Sequence, residues 1–416
     1  MTVDNDYLDD IDWQRITPND HGDWINQRRD DFEKYSPIEL AHFESWGRGF
    51  ETSRDAWVYG FSEAALIRKS NKMSTAFNNE LEADSLESTN DPKEISWSSS
   101  LRARLTQKRP IDIEKDDFRT SMYRPFNKQA VCVSEGLIHR PGKFHRFFPT
   151  AETENVGFYV VGAGSDRPFA ALMTDLIPDL AMWGSSSGQF FPRYSFEKTA
   201  EDTLFAGDAA SGYTRFDNIT DLALKDYRVA YGGQVAKDDI FYYVYGLLHS
   251  PTYRSEFAAD LKKTLPRIPK VKDFAGFADA GRKLADLHLN YESAEPYPLD
   301  EIGEGSFRVQ KMAFVKAGKD KDKSTIIYNS SITLNGIPED AYRYMLGSRS
   351  AIEWIIDRYQ VKTDKASGIV NDPNDWADEH NEPRYIIDLV KRIVTVSIET
   401  MKIVDSLPAL DIIDKE

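Results

Sequence analysis

Residues 240 to 266 constrain the fold most strongly, because two amphipathic runs are separated there by a Ser-Pro break and closed by proline. The first run, IFYYVYGLL, places apolar residues at helical spacing behind Asp239, which we predict to be its N-cap. Ser250 is predicted to cap a second helix that begins at Pro251, since proline at the first helical position loses no intrahelical hydrogen bond. Pro266 then ends the second helix. The pattern predicts a helical hairpin whose shared aromatic face belongs to the core.

The composition is that of an ordinary globular protein. A chain of 416 residues with 41% hydrophobic residues can bury a sizeable core and is long enough for two or three domains. No run approaches the roughly 18 uninterrupted apolar residues of a membrane helix, and the acidic N-terminus lacks the apolar core of a signal peptide. A single cysteine, Cys132, excludes an internal disulfide and a cysteine-rich zinc site. We therefore predict a cytoplasmic location and no membrane partner.

The charge is distributed unevenly along the chain. The net charge of −16 argues against a protein that coats nucleic acid through a global positive field. Between residues 101 and 149, however, 11 Lys or Arg residues stand against 5 Asp or Glu residues, while the rest of the chain carries 41 against 63. One basic segment on an acidic body favours docking of a polyanion at one place, and a solvated charged face is the equally compatible alternative.

Strand-like and helix-like runs occur in clusters rather than in strict alternation. Residues 22–35 and 62–83 are predicted to be helical, and residues 84–94 have the composition of an exposed connection. Short runs rich in β-branched and aromatic residues predict strands at 129–134, 155–164, 188–196, 306–315 and 324–336. Further helices are predicted at 273–292, 350–359 and 383–404. Clustering of this kind predicts the α+β class and not a doubly wound parallel sheet.

Sequence patterns for common catalytic sites are missing. Residues 276–283, GFADAGRK, have two glycines near the spacing of a phosphate-binding loop, but Arg282 replaces the lysine and no strand precedes them. The Asn/Asp-Pro-Pro-aromatic motif of an amino-methyltransferase is absent, since NDPNDW at 371–376 lacks the second proline. His139 and His145 have no Cys or carboxylate cluster that would complete a zinc site. We predict no catalytic residue, no metal and no cofactor in this chain, which favours a binding or specificity module.

Residues 123–129 and 137–148 combine cationic, amide and aromatic side chains with turn residues in a way that suits DNA. Residues 183–194 add a loop of small residues flanked by Gln189 and Arg193, and Arg349 stands just ahead of a predicted helix N-terminus, where free amides also favour an anion. Guanidinium and amide groups on turns can reach phosphates and base edges, with arginine suited to guanine and Asn or Gln suited to adenine. Ordinary polar hairpin loops and a plain helix cap remain the alternative for these stretches. The candidate DNA-contacting residues are Arg124, Asn127, Lys128, Arg140, Lys143, Arg146, Gln189, Arg193 and Arg349.

The order of eight runs resembles the C-terminal part of type I single-polypeptide (type ISP) restriction-modification enzymes. Each run is weakly specific alone, but together they extend over nearly the whole chain. The runs are DWINQR, TSRDAWVYGFS, YRPFNKQ, DLALKDY, YYVYGLLHSPTYRSEFAADLKKTLPRIP, AGRKLADLHLNYE, LGSRSAIEWIIDRY and YIIDLVKRIVTVSIETMKIV.

The resemblance implies a target-recognition, or specificity, domain with a helical hairpin scaffold. Members of that family carry a nuclease, an ATP-driven translocase, a coupler and an N6-adenine methyltransferase on the same polypeptide, and S-adenosylmethionine, ATP and Mg²⁺ belong to those parts. The implied partners are double-stranded DNA and a methyltransferase domain in cis or in trans. The implied boundaries are 1–94 for a mainly helical connector and 95–416 for the recognition domain, divided into strand-rich residues 95–238, hairpin residues 239–300 and C-terminal residues 301–416.

Two functions from other classes remain open on the sequence alone. The alternatives to a recognition domain are a stand-alone nuclease with a cryptic acidic site and a protein-interaction module that docks on a separate methyltransferase. A magnesium-dependent nick in plasmid DNA favours the nuclease, and capture of a methyltransferase without DNA favours the interaction module.

Limited proteolysis tests the predicted boundary between connector and recognition domain. We expect the first cut within residues 84–94, because exposed polar connections are the preferred sites of nicking. The fragments are to be identified by mass spectrometry. Early cleavage inside residues 240–265 would contradict the scaffold role of the hairpin.

Overall fold

The computed structural model describes residues 14–25, 27–83, 90–184, 188–199 and 212–413. Helices and several separate sheets alternate irregularly along the chain, which confirms the α+β class. Within the described ranges, no helix combines the length and apolar character needed to cross a membrane. Most of the predicted connection, residues 84–89, lies outside the described residues.

The helices vary from a single turn to six turns in length. In chain order they are α1 Asp55–Val58, α2 Glu63–Ala83, α3 Ser99–Thr106, α4 Phe144–Phe147, α5 Asp221–Tyr231, α6 Lys237–Leu247, α7 Pro251–Glu256, α8 Ala258–Lys263, α9 Phe274–Leu289, α10 Ala351–Arg358, α11 Asn374–Glu379 and α12 Tyr385–Asp405.

The strands are short and form several sheets. They are β1 Ser36–Pro37, β2 Tyr59–Gly60, β3 Phe118–Arg124, β4 Asn127–Cys132, β5 Gly157–Val161, β6 Ala171–Thr174, β7 Ile177–Pro178, β8 Gly188–Pro192, β9 Tyr194–Lys198, β10 Tyr213–Asp217, β11 Arg267–Ile268, β12 Asp300–Ile302, β13 Ala313–Ala317, β14 Asp320–Ile327, β15 Thr333–Asn335, β16 Met345–Leu346, β17 Arg349–Ser350, β18 Lys362–Thr363 and β19 Val370–Asn371. The larger sheets have the orders β2-β4-β3-β7, β6-β5-β8 and β12-β15-β14-β13, and the pairs β1-β11, β9-β10, β16-β17 and β18-β19 complete them.

The sheet β6-β5-β8 separates two hydrophobic cores. Alternate residues of a strand point to opposite faces, so Tyr159 and Val161 of β5 enter the first core while Phe158 and Val160 enter the second. The first core continues into β3, β4, α10 and α12, and the second continues into α6 and α9. Because every residue of β5 is buried, the strand forms a continuous apolar run in the sequence.

Two glycines allow α6 and α9 to pack with their backbones in contact. A Cβ atom at Gly281 would overlap the carbonyl oxygen of Tyr242, and one at Gly246 would overlap the carbonyl oxygen of Phe277. Gly281 belongs to the run that resembles a phosphate-binding loop, and the structure places that run inside α9, capped by Asp273. The glycine spacing there is therefore explained by helix packing.

The hairpin prediction is confirmed in part. The Ser250 hydroxyl accepts a hydrogen bond from the Tyr253 amide, and Pro251 opens the second helix as expected. That helix is divided in two at Phe257, where α7 ends and α8 begins. Asp239 is not the N-cap of α6, because the helix begins two residues earlier; its carboxylate instead accepts a hydrogen bond from the Ala236 amide at 2.7 Å.

The other predicted helices and strands agree with the structure to different degrees. The helix predicted over 62–83 is α2, and the strand predicted over 155–164 contains β5. The helix predicted over 22–35 is wrong, since the described residues of this segment form only a 3₁₀ turn at Phe32–Lys34. Tertiary packing outweighs periodicity in this segment, because Phe32 is drawn into the second core beside Phe257.

The α6–α9 crossing yields a stability prediction. Gly281→Ala should lower the free energy of unfolding by about 1–3 kcal/mol, because the added methyl group forces the two helix backbones apart. Urea unfolding monitored by circular dichroism measures the change. Gly233→Ala is the matched control, because no atom lies within 4 Å of the added group, and its effect should stay within about 0.5 kcal/mol. Equal effects of both variants would contradict the close crossing.

Candidate nucleic-acid interface

Residues 47–51 form a short loop that joins two of the predicted DNA-contacting stretches. At its first end, the Gly47 amide donates to the Phe190 carbonyl at 3.1 Å and the Phe190 amide donates back to the Gly47 carbonyl at 2.7 Å. At its other end, the Glu51 and Arg140 amides each donate to the other residue's carbonyl at 2.9 Å. The loop therefore connects strand β8 to the segment that precedes α4.

The sequence Gly-Arg-Gly allows this loop to lie flat against the protein. A Cβ atom on Gly49 would lie 2.5 Å from the carbonyl carbon of Asp179, and one on Gly47 would lie 3.2 Å from the Cβ atom of Lys143. Neither glycine can gain a side chain without displacement of its neighbours. Arg48 stands between them with its side chain exposed to solvent.

Three of the predicted cations form an exposed strip beside this loop. The side chain of Arg140 is 71% exposed and lies 3.4 Å from a Glu51 carboxylate oxygen. Arg146 is 47% exposed and pairs with Glu197 of β9. The Lys143 ammonium lies 5.4 Å from the centre of the Trp46 ring, within the range of a cation–π contact. These charges are available to a polyanion.

Gly184 of the predicted loop 183–194 and the predicted cation Arg349 both lie beside Trp354 of α10. A Cβ atom on Gly184 would lie 3.8 Å from the tip of the Trp354 ring. The Arg349 guanidinium lies 5.0 Å from the centre of the same ring and donates a 2.8 Å hydrogen bond to Asp357. Gln189, half-buried on β8, lies beside the loop described above, and residues 185–187 lie outside the described residues. The described residues of segment 183–194 therefore contact both the loop at 47–51 and the Trp354 ring that Arg349 covers.

Arg124, Asn127 and Arg193 were expected in exposed segments, and that expectation is wrong. Arg124 is 6% exposed and pairs with Asp179 at 2.7 Å, and Asn127 is fully buried. Arg193 is also 6% exposed, because it donates to Asp217 and Asp238 from a position between β10 and α6. These polar groups connect elements within the fold, since buried charges need partners.

Lys128 is intermediate between the exposed and the buried candidates. Its ammonium donates a 2.7 Å hydrogen bond to Glu292, which follows α9, and its side chain is 29% exposed. It therefore joins β4 to the turn after α9 while part of it still reaches solvent.

The Asp179 carboxyl group, which pairs with Arg124 in the interior, has a shifted pKa. Burial raises the pKa of Asp179 to about 6, while the Arg124 guanidinium acts in the opposite direction. The Tyr59 hydroxyl also donates to this carboxylate at 3.1 Å. Because Asp179 directly contacts the loop at Gly49, this ion pair holds in place the residue against which the loop packs.

A group of cations near Arg349 was missed by sequence reasoning. Burial lowers the pKa of Lys362, and the guanidinium groups of Arg358, Arg349 and Arg124 act in the same direction, which shows that four cations gather there. Arg358 follows Trp354 by four residues on α10 and lies 5.4 Å from the centre of its ring. This helical spacing was the available signal.

Arg48 and Arg215 were also missed. Arg215 on β10 is exposed and lies 4.6 Å from the centre of the Tyr194 ring. For Arg48, the available signal was the run WGRGF, in which glycines on both sides of a basic residue indicate a close backbone approach.

The arrangement suits ionic and hydrogen-bonding recognition. Exposed guanidinium, ammonium and amide groups can donate to phosphate oxygens and to the acceptors on base edges. Across the described ranges, no group of three or more His, Cys, Asp or Glu side chains is placed to hold a metal ion.

Comparison with known proteins gives consistent results. A family model described as the Type ISP C-terminal specificity domain matches residues 41–389. The chain is similar to the ATP-dependent Type ISP restriction-modification enzyme LlaBIII bound to DNA, with 33% identity and a TM-score of 0.86. It is similar to a nuclease-deletion mutant of the Type ISP enzyme LlaGI in complex with a DNA substrate mimic, with 36% identity and a TM-score of 0.83. A cryoEM structure of a DrdV–DNA complex matches with 29% identity and a TM-score of 0.80.

The chain corresponds to a part of each of these proteins. The matches to LlaBIII, LlaGI and DrdV cover 96%, 98% and 97% of this chain, but 26%, 37% and 41% of those chains. A search of the curated proteins finds no match.

The buried pair of Arg124 and Asp179 yields a prediction that distinguishes an arginine that stabilises the fold from one on the surface. Arg124→Met should lower the free energy of unfolding by about 3–5 kcal/mol at pH 8, because it leaves the Asp179 carboxylate buried without its counter-ion. The loss should be smaller at pH 5, since a buried carboxyl group with a raised pKa is protonated there and carries no charge. Denaturant unfolding at the two pH values measures both effects.

Arg146→Met is the control for this experiment. Its pair with Glu197 is exposed, so its removal should cost less than about 1 kcal/mol at either pH. A cost for Arg124→Met as small as that of the control, or one independent of pH, would contradict the buried-pair assignment.

Proposed function

The chain belongs to the Type ISP C-terminal specificity domain family, and we propose that it recognises a specific DNA sequence on behalf of a restriction-modification enzyme. The observation that carries the proposal is that residues 47–51 join the strand that carries Gln189 to the segment with the exposed cations Arg140, Lys143 and Arg146. The three similar solved structures are complexes with DNA or with a DNA substrate mimic.

The net negative charge of the chain is compatible with DNA recognition because several exposed cations lie close together. The strip of Arg140, Lys143 and Arg146 lies beside Arg48, whereas the chain as a whole has a net charge of −16. A local positive surface on an acidic body orients a polyanion toward that surface and repels it elsewhere. We propose that the DNA backbone follows the strip.

Phosphate contacts and base contacts have different requirements in such an interface. Lys143 carries a mobile point charge, which suits a phosphate, whereas guanidinium and amide groups have the planar geometry that base edges require. Among the residues predicted from the sequence, Arg140, Lys143, Arg146, Gln189 and Arg349 have the exposure that either contact needs. We propose these five, together with Lys128 at the margin, as DNA-contacting residues.

The remaining assignments follow from the proposed role. We propose that S-adenosylmethionine, ATP and Mg²⁺ bind to other parts of a full restriction-modification enzyme and that this chain holds no cofactor. A methyltransferase domain, in cis or in trans, is the proposed protein partner, because recognition has to be coupled to chemistry. The proposed location is the cytoplasm, where a restriction enzyme meets its DNA.

A selection from randomised DNA duplexes tests the proposed function. The 416-residue chain should enrich one short consensus sequence at moderate salt, and fluorescence anisotropy should then give tighter binding to that sequence than to a scrambled duplex. Enrichment of no sequence would refute the proposal. A magnesium-dependent nick in plasmid DNA would instead support the nuclease alternative, and capture of a methyltransferase without DNA would support the interaction module.

Lys143→Gln is predicted to weaken binding to all sequences alike. The loss of one phosphate contact should also reduce the slope of log affinity against log salt by about 1, because one fewer counter-ion is released. Titrations at several salt concentrations measure this slope. Lys283→Gln on α9 is the control, since Lys283 is similarly exposed but pairs with Asp279 on its own helix. A slope unchanged by Lys143→Gln would exclude a phosphate contact at this position.

A further inference from the structure

We propose that Arg48 reads a guanine in the DNA target, with its guanidinium donating two hydrogen bonds to N7 and O6 in the major groove. This assignment rests on the proposed function and goes beyond it by matching one residue to one base. Arginine with this bidentate geometry is the commonest specific contact to guanine.

The Arg48 backbone is held rigidly. Backbone hydrogen bonds fix the loop on both sides, through Gly47 to Phe190 and through Phe50 to Leu180, the latter at 2.9 Å. Gly49 is pressed against Asp179, which is itself fixed by its buried ion pair. The backbone of Arg48 therefore needs no further ordering when the residue binds a ligand, and the point from which its side chain leaves the surface is set in advance.

The Arg48 guanidinium group also has no partner among the described residues. Three other arginines of this surface are held by carboxylates, Arg140 by Glu51, Arg146 by Glu197 and Arg349 by Asp357. The Arg48 side chain has no hydrogen bond or ion pair with any residue in the described part of the chain, and it is exposed. Its full set of donors is therefore available to a ligand.

Arg48 lies between neighbours suited to phosphates and neighbours suited to bases. On one side, the Arg48 carbonyl faces Gly142 in the turn just before Lys143, so the cationic strip begins directly beside it. On the other side, the loop is hydrogen-bonded to Phe190, the residue after Gln189. A DNA backbone held by the strip would bring base edges toward Arg48 and Gln189.

The glycines themselves support a base contact over a phosphate contact. A phosphate contact requires only a positive charge on the surface, which many loop sequences provide. Gly49 of the loop lies against Asp179 and Gly142 of the neighbouring turn lies against the Arg48 carbonyl, so larger residues at either position would displace Arg48. Such control of position matters for a bidentate base contact, which needs a fixed plane, and much less for a contact to a phosphate.

The test compares wild type, Arg48→Ala and Arg48→Lys in the randomised-duplex selection, each as the 416-residue chain. We expect wild type to select a consensus with an invariant guanine and Arg48→Ala to lose preference at that position alone. Replacing this guanine pair should weaken wild-type binding by roughly 5- to 150-fold and should leave the binding of Arg48→Ala nearly unchanged.

Two further measurements distinguish base reading from charge. Arg48→Lys keeps the charge but not the planar fork, so it should keep the wild-type salt dependence and lose the guanine preference. A duplex with 7-deazaguanine at the same position removes the N7 acceptor and should weaken binding of wild type but not of Arg48→Ala. Arg68→Ala, which removes an exposed arginine of α2, is the control and should retain the wild-type consensus.

The outcomes separate the role of Arg48 from the proposed function. If wild type selects no sequence, the proposed function fails. If wild type selects a sequence and Arg48→Ala selects the same one with uniformly lower affinity, Arg48 contacts phosphate and the guanine assignment is overturned while the function stands. If Arg48→Ala matches wild type in both affinity and sequence, Arg48 does not contact DNA. Circular dichroism of each variant verifies that the fold is intact.

Discussion

The three-stranded sheet β6-β5-β8 is buried on both faces, and the rest of the structure depends on this constraint. Tyr159 and Phe158, adjacent on β5, serve two different cores, so the sheet joins the part built around α12 to the part built around α6 and α9. A sheet covered on both sides offers no face to a ligand. Within this part of the fold, a surface that contacts DNA is therefore made by the segments at the ends and edges of the sheet, where Gln189 and the loop at 47–51 lie.

Charged residues inside the fold secure those segments. The Arg124–Asp179 pair lies beneath the Gly-Arg-Gly loop, and Arg193 holds β10 and the start of α6 beside the end of β8. Burying a charge is costly unless it is paired, so these contacts exclude alternative arrangements more than they add stability. Loop positions that are fixed in this way can present a side chain in one direction.

Local pairing of charges explains how an acidic protein offers a site for a polyanion. The exposed arginines Arg140, Arg146 and Arg349 are balanced by nearby carboxylates. Under the proposed function, such pairs would exchange the carboxylate for a DNA phosphate. Lys143 and Arg48, which have no carboxylate partner among the described residues, then supply the attraction that is available before contact.

The sequence alone determined those features that depend on neighbours along the chain. Ser250 and Pro251 start a helix, the continuous apolar run at 157–161 forms a buried strand, and the order of motifs indicates the family. Caps, periodicity and turn residues act over a few positions, so they can be recognised directly. The same local rules misplaced the start of α6 and wrongly predicted a helix at 22–35, which shows the limit of what they determine.

Only the tertiary structure decided which cations face solvent. Arg124, Arg140 and Arg193 look alike in the sequence, each beside aromatic and turn residues, yet Arg140 is exposed and the other two are buried. The difference arises from partners that are remote in the chain, since Asp179 meets Arg124 and Asp238 meets Arg193 only after folding. Arg48 gained its position in the same way, through glycines that fit against Asp179 and Lys143. Burial and pairing are properties of contacts between distant segments, and no local pattern encodes them.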